Sequence, residues 1–267
     1  MLEEEALSAL PLITLTTDFG DQDGFVGAMK GVILSINPEA RIVDISHAVP
    51  RQDVRAGAMV LRGACPYFPE GTVHVAVIDP GVGSSRAAVV VETALAFYVL
   101  PDNGLITLID QITPVRHVYA IEQAGLCLPD VSRTFHGRDI FAPVAAHLSR
   151  GLPPNQVGPP MQSFAELDVP AAVVDDHRVE GHVLYVDVFG NCITNIGPEQ
   201  VNFGAFDWRW RSGDREVAGL KTSYAEATWG EALMIQSSNG CLELAVNGGN
   251  AAEMFGLKVG DLLVLYR

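Results

Sequence analysis

A chain of 267 residues, 48% hydrophobic and 18% charged, is able to bury one large core or two moderate ones, which argues against disorder over most of its length. Its net charge of −15 argues against a nucleic-acid partner, whose hold on phosphate comes from clustered Lys and Arg, and suits a cationic small molecule. No apolar run reaches the roughly 18–20 residues of a membrane span, the acidic opening MLEEEAL is unlike a secretory signal, and the scattered Cys65, Cys127, Cys192 and Cys241 read as reduced thiols of a cytoplasmic protein.

In chain order, LITLTTD predicts a buried strand and GFVGAMKGVILSI, with apolar residues at helical spacing, a helix. ARIVDIS is a second strand, DVRAGAMVLRGACPYF a second helix and TVHVAVID a third strand; AAVVVET, AFYVLPD and RHVYAIE add strands, and DIFAPVAAHLSR is a closing helix. This alternation predicts an α/β domain, a mostly parallel sheet with helices on both faces. Proline-bearing loops after residue 150 mark a boundary, giving domains 1–170 and 171–267. The second part carries the strand signals HVLYVDVF, NCITNIG, EALMIQSS, CLELAVN and VGDLLVLYR, and predicts a smaller, mostly-β, barrel-like domain.

Ligands of open parallel sheets sit beyond the carboxyl ends of the strands, so residues that directly follow strands matter most. Asp18, Asp21 and Asp23 follow the first strand. Any one of them can be a helix cap, but three exceed capping needs, and a carboxylate there can accept two hydrogen bonds from a ribose diol. The turn Asp79-Pro80-Gly81-Val82-Gly83-Ser84-Ser85-Arg86 lacks the G-K-[ST] ending of a phosphate loop; it is either a plain turn or one that places a carboxylate and a guanidinium in one small cavity. His136 stands in a polar run before a helix, where it can cap, be solvated or be catalytic. No histidines stand at metal-ligand spacing, so no metal is expected. In the second part, Phe189 and Asn191 pair an aromatic face with an amide, as an adenine ring requires, whereas the Asn-Gly pairs at Asn239 and Asn247 read first as hairpin turns.

Taken together, TTDFG..DGFVGAMKG, DISH..P.QD, VIDPGVGSSR, PDNG, TFHGRDIFAP, D.FGN..TNI and LELAVN.GNAA resemble, over nearly the whole chain, the S-adenosylmethionine hydroxide adenosyltransferases, relatives of the fluorinases and chlorinases. The resemblance implies hydrolysis of S-adenosylmethionine to adenosine and methionine with no cofactor, by a homotrimer whose sites lie between subunits. It implies Asp79, Arg86 and His136 as the catalytic trio; Asp18 on the ribose; Asp23 and Asp187 on the methionine ammonium; Phe189, Asn191, Asn250 and the Ala251 backbone on adenine; and Ser238 on the methionine carboxylate. Asn239 departs from the halogenating relatives, which carry an arginine beside that serine. Asp79 stands where the fluorinase has a neutral tyrosine, and a carboxylate there repels a halide nucleophile. A halide-dependent transferase and a non-catalytic binding module are the alternatives.

Overall fold

The computed structural model describes residues 11–201 and 207–267; the opening MLEEEAL lies outside them. The chain divides into two compact units between Leu167 and Asp168. In the first, β1 (Leu12–Thr17), α1 (Phe25–Ile36), β2 (Arg41–Ser46), α2 (Val54–Ala64), β3 (Thr72–Val77), β4 (Ala88–Thr93), β5 (Ala96–Pro101), α3 (Thr107–Asp110), β6 (Val115–Ala120) and α4 (Ala142–Ser149) follow one another. The six strands form one sheet in the order β2-β1-β3-β5-β4-β6. The pairings β1–β2, β1–β3 and β3–β5 are parallel, while β4 runs antiparallel to both β5 and β6.

Strand β3 sits mid-sheet, and all six of its residues are buried, as its run of β-branched side chains requires. Ile13, Leu15, Val73, Val75 and Val77 present one face to Met29 and Ile33 of α1 and to Phe141, Val144 and Ala145 at and within α4. On the other side, Gly57 of α2 lets Ile78 and Leu105 approach so closely that a methyl group there would overlap them. Helix α2 starts where the Asp53 side chain accepts the Ala56 N–H at 2.9 Å. Helix α4 grows out of a widened π-helical turn, Gly137–Phe141, a form of helix that recurs at functional sites.

The second unit contains β7 (Val173–Val174), β8 (Arg178–Val186), β9 (Cys192–Thr194), β10 (Arg209–Ser212), β11 (Arg215–Ala218), β12 (Leu220–Lys221), β13 (Ala232–Gln236), β14 (Leu242–Val246), α5 (Ala251–Phe255) and β15 (Leu262–Tyr266). Its sheet runs β11-β10-β15-β8-β9-β14-β13-β12, with β7 added on β8. The two ends of that order, β11 and β12, are consecutive in the chain and separated by Gly219 alone, so the sheet curls until its edges nearly meet, a barrel-like form. Gly219 adopts φ +73°, a left-handed conformation that suits glycine at this corner. Trp208 and Trp210 are buried inside with Val179, Val183, Leu244 and Leu265.

Candidate active site

Two segments of the first unit bring three side chains to one point. Asp79 lies just beyond the carboxyl end of β3, and Arg86 lies seven residues on, ahead of β4. The Arg86 guanidinium donates to Asp79 through Nε, 3.0 Å from each carboxylate oxygen, and again through Nη2 to Oδ2. The same Nη2 lies 2.7 Å from His136 Nδ1. A guanidinium can only donate, so Nδ1 is the acceptor and the ring carries its proton on Nε2. Burial, followed by the Arg86 charge, holds the His136 imidazole below its ordinary value of 6.5, against the opposing pull of Asp79 and Asp139. Both members of the ion pair are shielded, with side-chain exposures of 10% for Arg86 and 4% for Asp79, and the guanidinium lies 5.3 Å over the Phe141 ring.

The loop itself explains the convergence. Ser84 Oγ donates to the Gly81 carbonyl at 2.6 Å and accepts from the Arg86 N–H at 3.2 Å, folding the turn back on itself. Gly83, at φ +77°, passes so close to the Arg133 carbonyl that a Cβ would collide with it, and this docks the Asp79–Arg86 turn on the segment carrying His136. That segment is anchored by Asp139, fully buried, which accepts from the Ser132 N–H at 2.8 Å and from Arg138 Nε at 2.6 Å. Asn103, in the P-D-N-G run after β5, donates to the Ile78 carbonyl at 2.9 Å and so steadies the residue before Asp79.

The turn after β1 adjoins this arrangement: Phe19 and Phe25 pack against Phe135, with ring centroids 5.9 and 5.1 Å away. Asp18 accepts from the Gln52 N–H at 2.7 Å, where Gln52 takes the unusual φ of +62°. Asp21 and Asp23 are exposed. None of the three caps α1, whose N-cap is Gly24 and makes no side-chain bond, so the capping alternative does not apply to them.

The second unit contains a cavity of 560 Å³. Asp187, Phe189, Asn191, Ser238 and Asn239, all singled out from the sequence, line it together with Tyr224 and Glu243. Asp187 Oδ1 accepts the N–H groups of Phe189 and Asn191, both at 2.9 Å, and its Oδ2 accepts Asn191 Nδ2 at 3.0 Å, which makes this carboxylate the clasp of the Phe189-Gly190-Asn191 turn. Phe189 is 73% exposed at the opening, whereas Asn191 is buried. Asn239 lines the cavity, and its Oδ1 accepts from the Cys241 N–H at 3.2 Å in the β13–β14 turn.

Asn250 and Ala251 are not part of the lining. Asn250 accepts from the Glu253 N–H at 2.9 Å and caps α5, and Ala251 is fully buried at the start of that helix. Gly190, at φ +82°, lies against the Asn250 amide with no room for a side chain, so the helix start is pressed onto the turn that carries Phe189 and Asn191. Tyr224 carries no motif, and Glu243 stands inside the LELAVN.GNAA run without having been singled out. The chemical sign of Glu243 in the sequence is a charge inside the apolar strand LELAV.

Comparison with known proteins finds matches over both units. The model of the SAM hydroxide adenosyltransferase N-terminal domain matches residues 13–158, and that of the C-terminal domain residues 181–264. A Thermus thermophilus protein named (R)-S-adenosyl-L-methionine hydrolase is 42% identical, with 91% of this chain and 95% of the relative covered. A Nocardia brasiliensis fluorinase is more distant, 29% identical over 94% of this chain and 95% of its own. The crystal structure of an uncharacterized conserved protein from Thermotoga maritima superposes with a TM-score of 0.89 at 40% identity, covering 96% of this chain and all of that one. The chain belongs to the SAM hydroxide adenosyltransferase family.

Proposed function

We propose that this protein hydrolyses S-adenosyl-L-methionine to adenosine and L-methionine by attack of water on the ribose C5′. The observation that carries the reading is the meeting of Asp79, Arg86 and His136, a carboxylate, a guanidinium and a neutral imidazole from two separate loops. The sulfonium is already a good leaving group, so the protein has to supply a placed nucleophile. His136 Nε2–H and Arg86 donate to the water oxygen and hold it in line with C5′, and as Asp79 accepts one of its protons the electron pair of that O–H bond is freed to attack. The C–O bond forms as the C5′–S bond breaks, the bonding pair returns to sulfur as a neutral thioether, and one proton leaves per turnover. Alignment of this kind lowers a barrier by up to about 7–11 kcal/mol, and a general base adds roughly 100- to 10,000-fold.

In this reading Asp18 holds the ribose hydroxyls, Asp23 and Asp187 the methionine ammonium, and Ser238 and Asn239 the carboxylate. Phe189, Asn191, Asn250 and the Ala251 backbone serve adenine. Asp187 spends three acceptor positions on its own turn and keeps one for the ammonium. The homotrimeric assembly implied by the family resemblance belongs to this reading, as does a cytoplasmic location, which four cysteines scattered through the sequence with no C-x-x-C pair support. Among the described residues no helix is long and apolar enough to cross a membrane. Asp79 disfavours a halide nucleophile, so purified protein given S-adenosylmethionine with or without chloride or fluoride is expected to form adenosine and methionine in equal amounts; 5′-halo-adenosine would overturn the reading.

The imidazole must stay neutral to accept from Arg86, and protonation would set a second cation against the guanidinium. Because its surroundings depress the His136 value, the neutral form persists below pH 6.5. The acid limb of kcat/KM is therefore expected to fall below 6.5 rather than at it, and a limb at or above 6.5 in a pH–rate profile would contradict the assigned tautomer.

A further inference from the structure

His47 stands directly after β2, in the DISH run, and has no part in the roles above. It is buried, and it holds the turn after β1 on both sides of Asp18. On one side its Nδ1 lies 2.8 Å from Oγ1 of Thr17, a fully buried residue at the end of β1, and the same hydroxyl accepts the Phe19 N–H at 3.3 Å, so that it spans Asp18. On the other side the His47 carbonyl accepts the Gly20 N–H at 2.8 Å. The far ring nitrogen, Nε2, lies 3.1 Å from Asp44 Oδ1, too obliquely for a directed hydrogen bond, and Lys30 donates to Asp44 Oδ2 at 2.5 Å. A carboxylate facing Nε2 favours the proton on that nitrogen, which leaves Nδ1 to accept from the Thr17 hydroxyl.

The backbone on either side of Asp18 is thereby fixed. Asp18 Oδ2 accepts the Gln52 N–H at 2.7 Å, with Gln52 in the left-handed region at φ +62°, and Oδ1 takes no hydrogen bond from the described residues. One carboxylate oxygen is tied to the protein and the other is kept for a ligand. A carboxylate that must meet a diol loses its grip when its aim drifts by a fraction of an ångström, so the groups that fix the turn bear on recognition as much as the carboxylate itself. We propose that His47 is a positioning residue: through the Thr17 hydroxyl it fixes the aim of Asp18, and the Thr17–His47 pair thereby sets the preference of the protein for a ribose that bears its hydroxyls. The inference rests on the assignment of Asp18 to the ribose made above, and its first measurement needs no turnover.

Calorimetry compares adenosine with 2′,3′-dideoxyadenosine, which lacks the diol. The wild-type protein is expected to bind adenosine about 10- to 100-fold more tightly, the worth of a hydrogen bond to a charged acceptor. Thr17→Val keeps the volume and the buried strand position but removes the hydroxyl, and is expected to narrow the ratio to less than about threefold; Thr17→Ser, which restores the hydroxyl, restores the ratio. His47→Ala is expected to lose the same preference, and the double variant no more than either single one, because the two side chains act as a pair. In turnover of S-adenosylmethionine, Thr17→Val is expected to raise KM about tenfold with kcat within about threefold of wild type, as for lost uniform binding. A merely structural role would lower the unfolding midpoint and leave the ratio where it was, and that result in Thr17→Val, or a failure of Thr17→Ser to recover the ratio, overturns the proposal while the ribose assignment of Asp18 stands. A wild-type ratio near one removes that assignment and the proposal together, even if S-adenosylmethionine is still hydrolysed. Should His47→Ala not fold, the two Thr17 variants decide.

Discussion

Replacing Asp79 by alanine is expected to slow turnover by about 1,000-fold, within the roughly 100- to 10,000-fold range of a general base, while binding of adenosine and of S-adenosylmethionine is largely kept. The carboxylate is the hub of the trio: it takes two donors of Arg86, and without it the guanidinium is free to swing from His136 Nδ1. Binding is expected to survive because the substrate contacts proposed above fall on other residues, on Asp18, on Asp23 and on those lining the 560 Å³ cavity. Single-turnover kinetics beside calorimetry separates the two effects. Asp79→Asn, which keeps the volume and loses the charge, is expected to show a similar deficit with less disturbance of the fold. Turnover at the wild-type rate in either variant would discard the role given to Asp79.

The second large effect is on stability. Phe141 is fully buried against the first unit's sheet, at the junction of the π-helical turn and α4, and its ring faces Arg86. Truncation to alanine leaves a cavity in a close-packed interior and is expected to cost about 3–5 kcal/mol of unfolding free energy. Chemical denaturation of wild type and variant measures this directly. Activity is expected to fall as well, since the guanidinium loses the surface on which it rests. A variant with an unchanged unfolding midpoint would show that the packing around Phe141 relaxes into the space.

Much of this was legible in the residues. Strand β3 announced itself by its β-branched TVHVAV run and α1 by its 3.6-residue period, and Asp79 and Arg86, seven residues apart on one glycine-rich turn, could be read as partners. His136 could not be joined to them by spacing, because fifty residues separate it from Arg86 and only the sheet order closes the gap; the family resemblance made that link. The β10–β11 hairpin went unread. Trp208, Arg209, Trp210, Arg211 and Ser212 alternate before a Gly213-Asp214 turn, but the strands are four residues long, and the arginines that face outward pair with Glu216 rather than giving a plain polar face.

Glu243 was hidden for a different reason. A lone charge among the apolar residues of a strand reads as a solvent-facing side chain, and that reading assumes one wet face. Here the strand lies between β9 and β13, and the Glu243 side chain reaches a cavity beside Tyr224 instead of open water. The Asn250 side chain illustrates the reverse: the resemblance gives it a ligand role, and its visible bond is to the Glu253 N–H at the start of α5. Through Gly190 it presses on the turn of Phe189 and Asn191, which is how a capping residue can matter to a binding site without lining it.

The central claim is that a water molecule, held by the trio, displaces methionine from the ribose C5′. Turnover of S-adenosylmethionine in water enriched in oxygen-18, with the products followed by mass spectrometry, tests it most directly. The account predicts adenosine carrying one heavy oxygen in its 5′-hydroxyl and methionine carrying none. Adenosine without the label, or a product cleaved at any bond other than C5′–S, would contradict it.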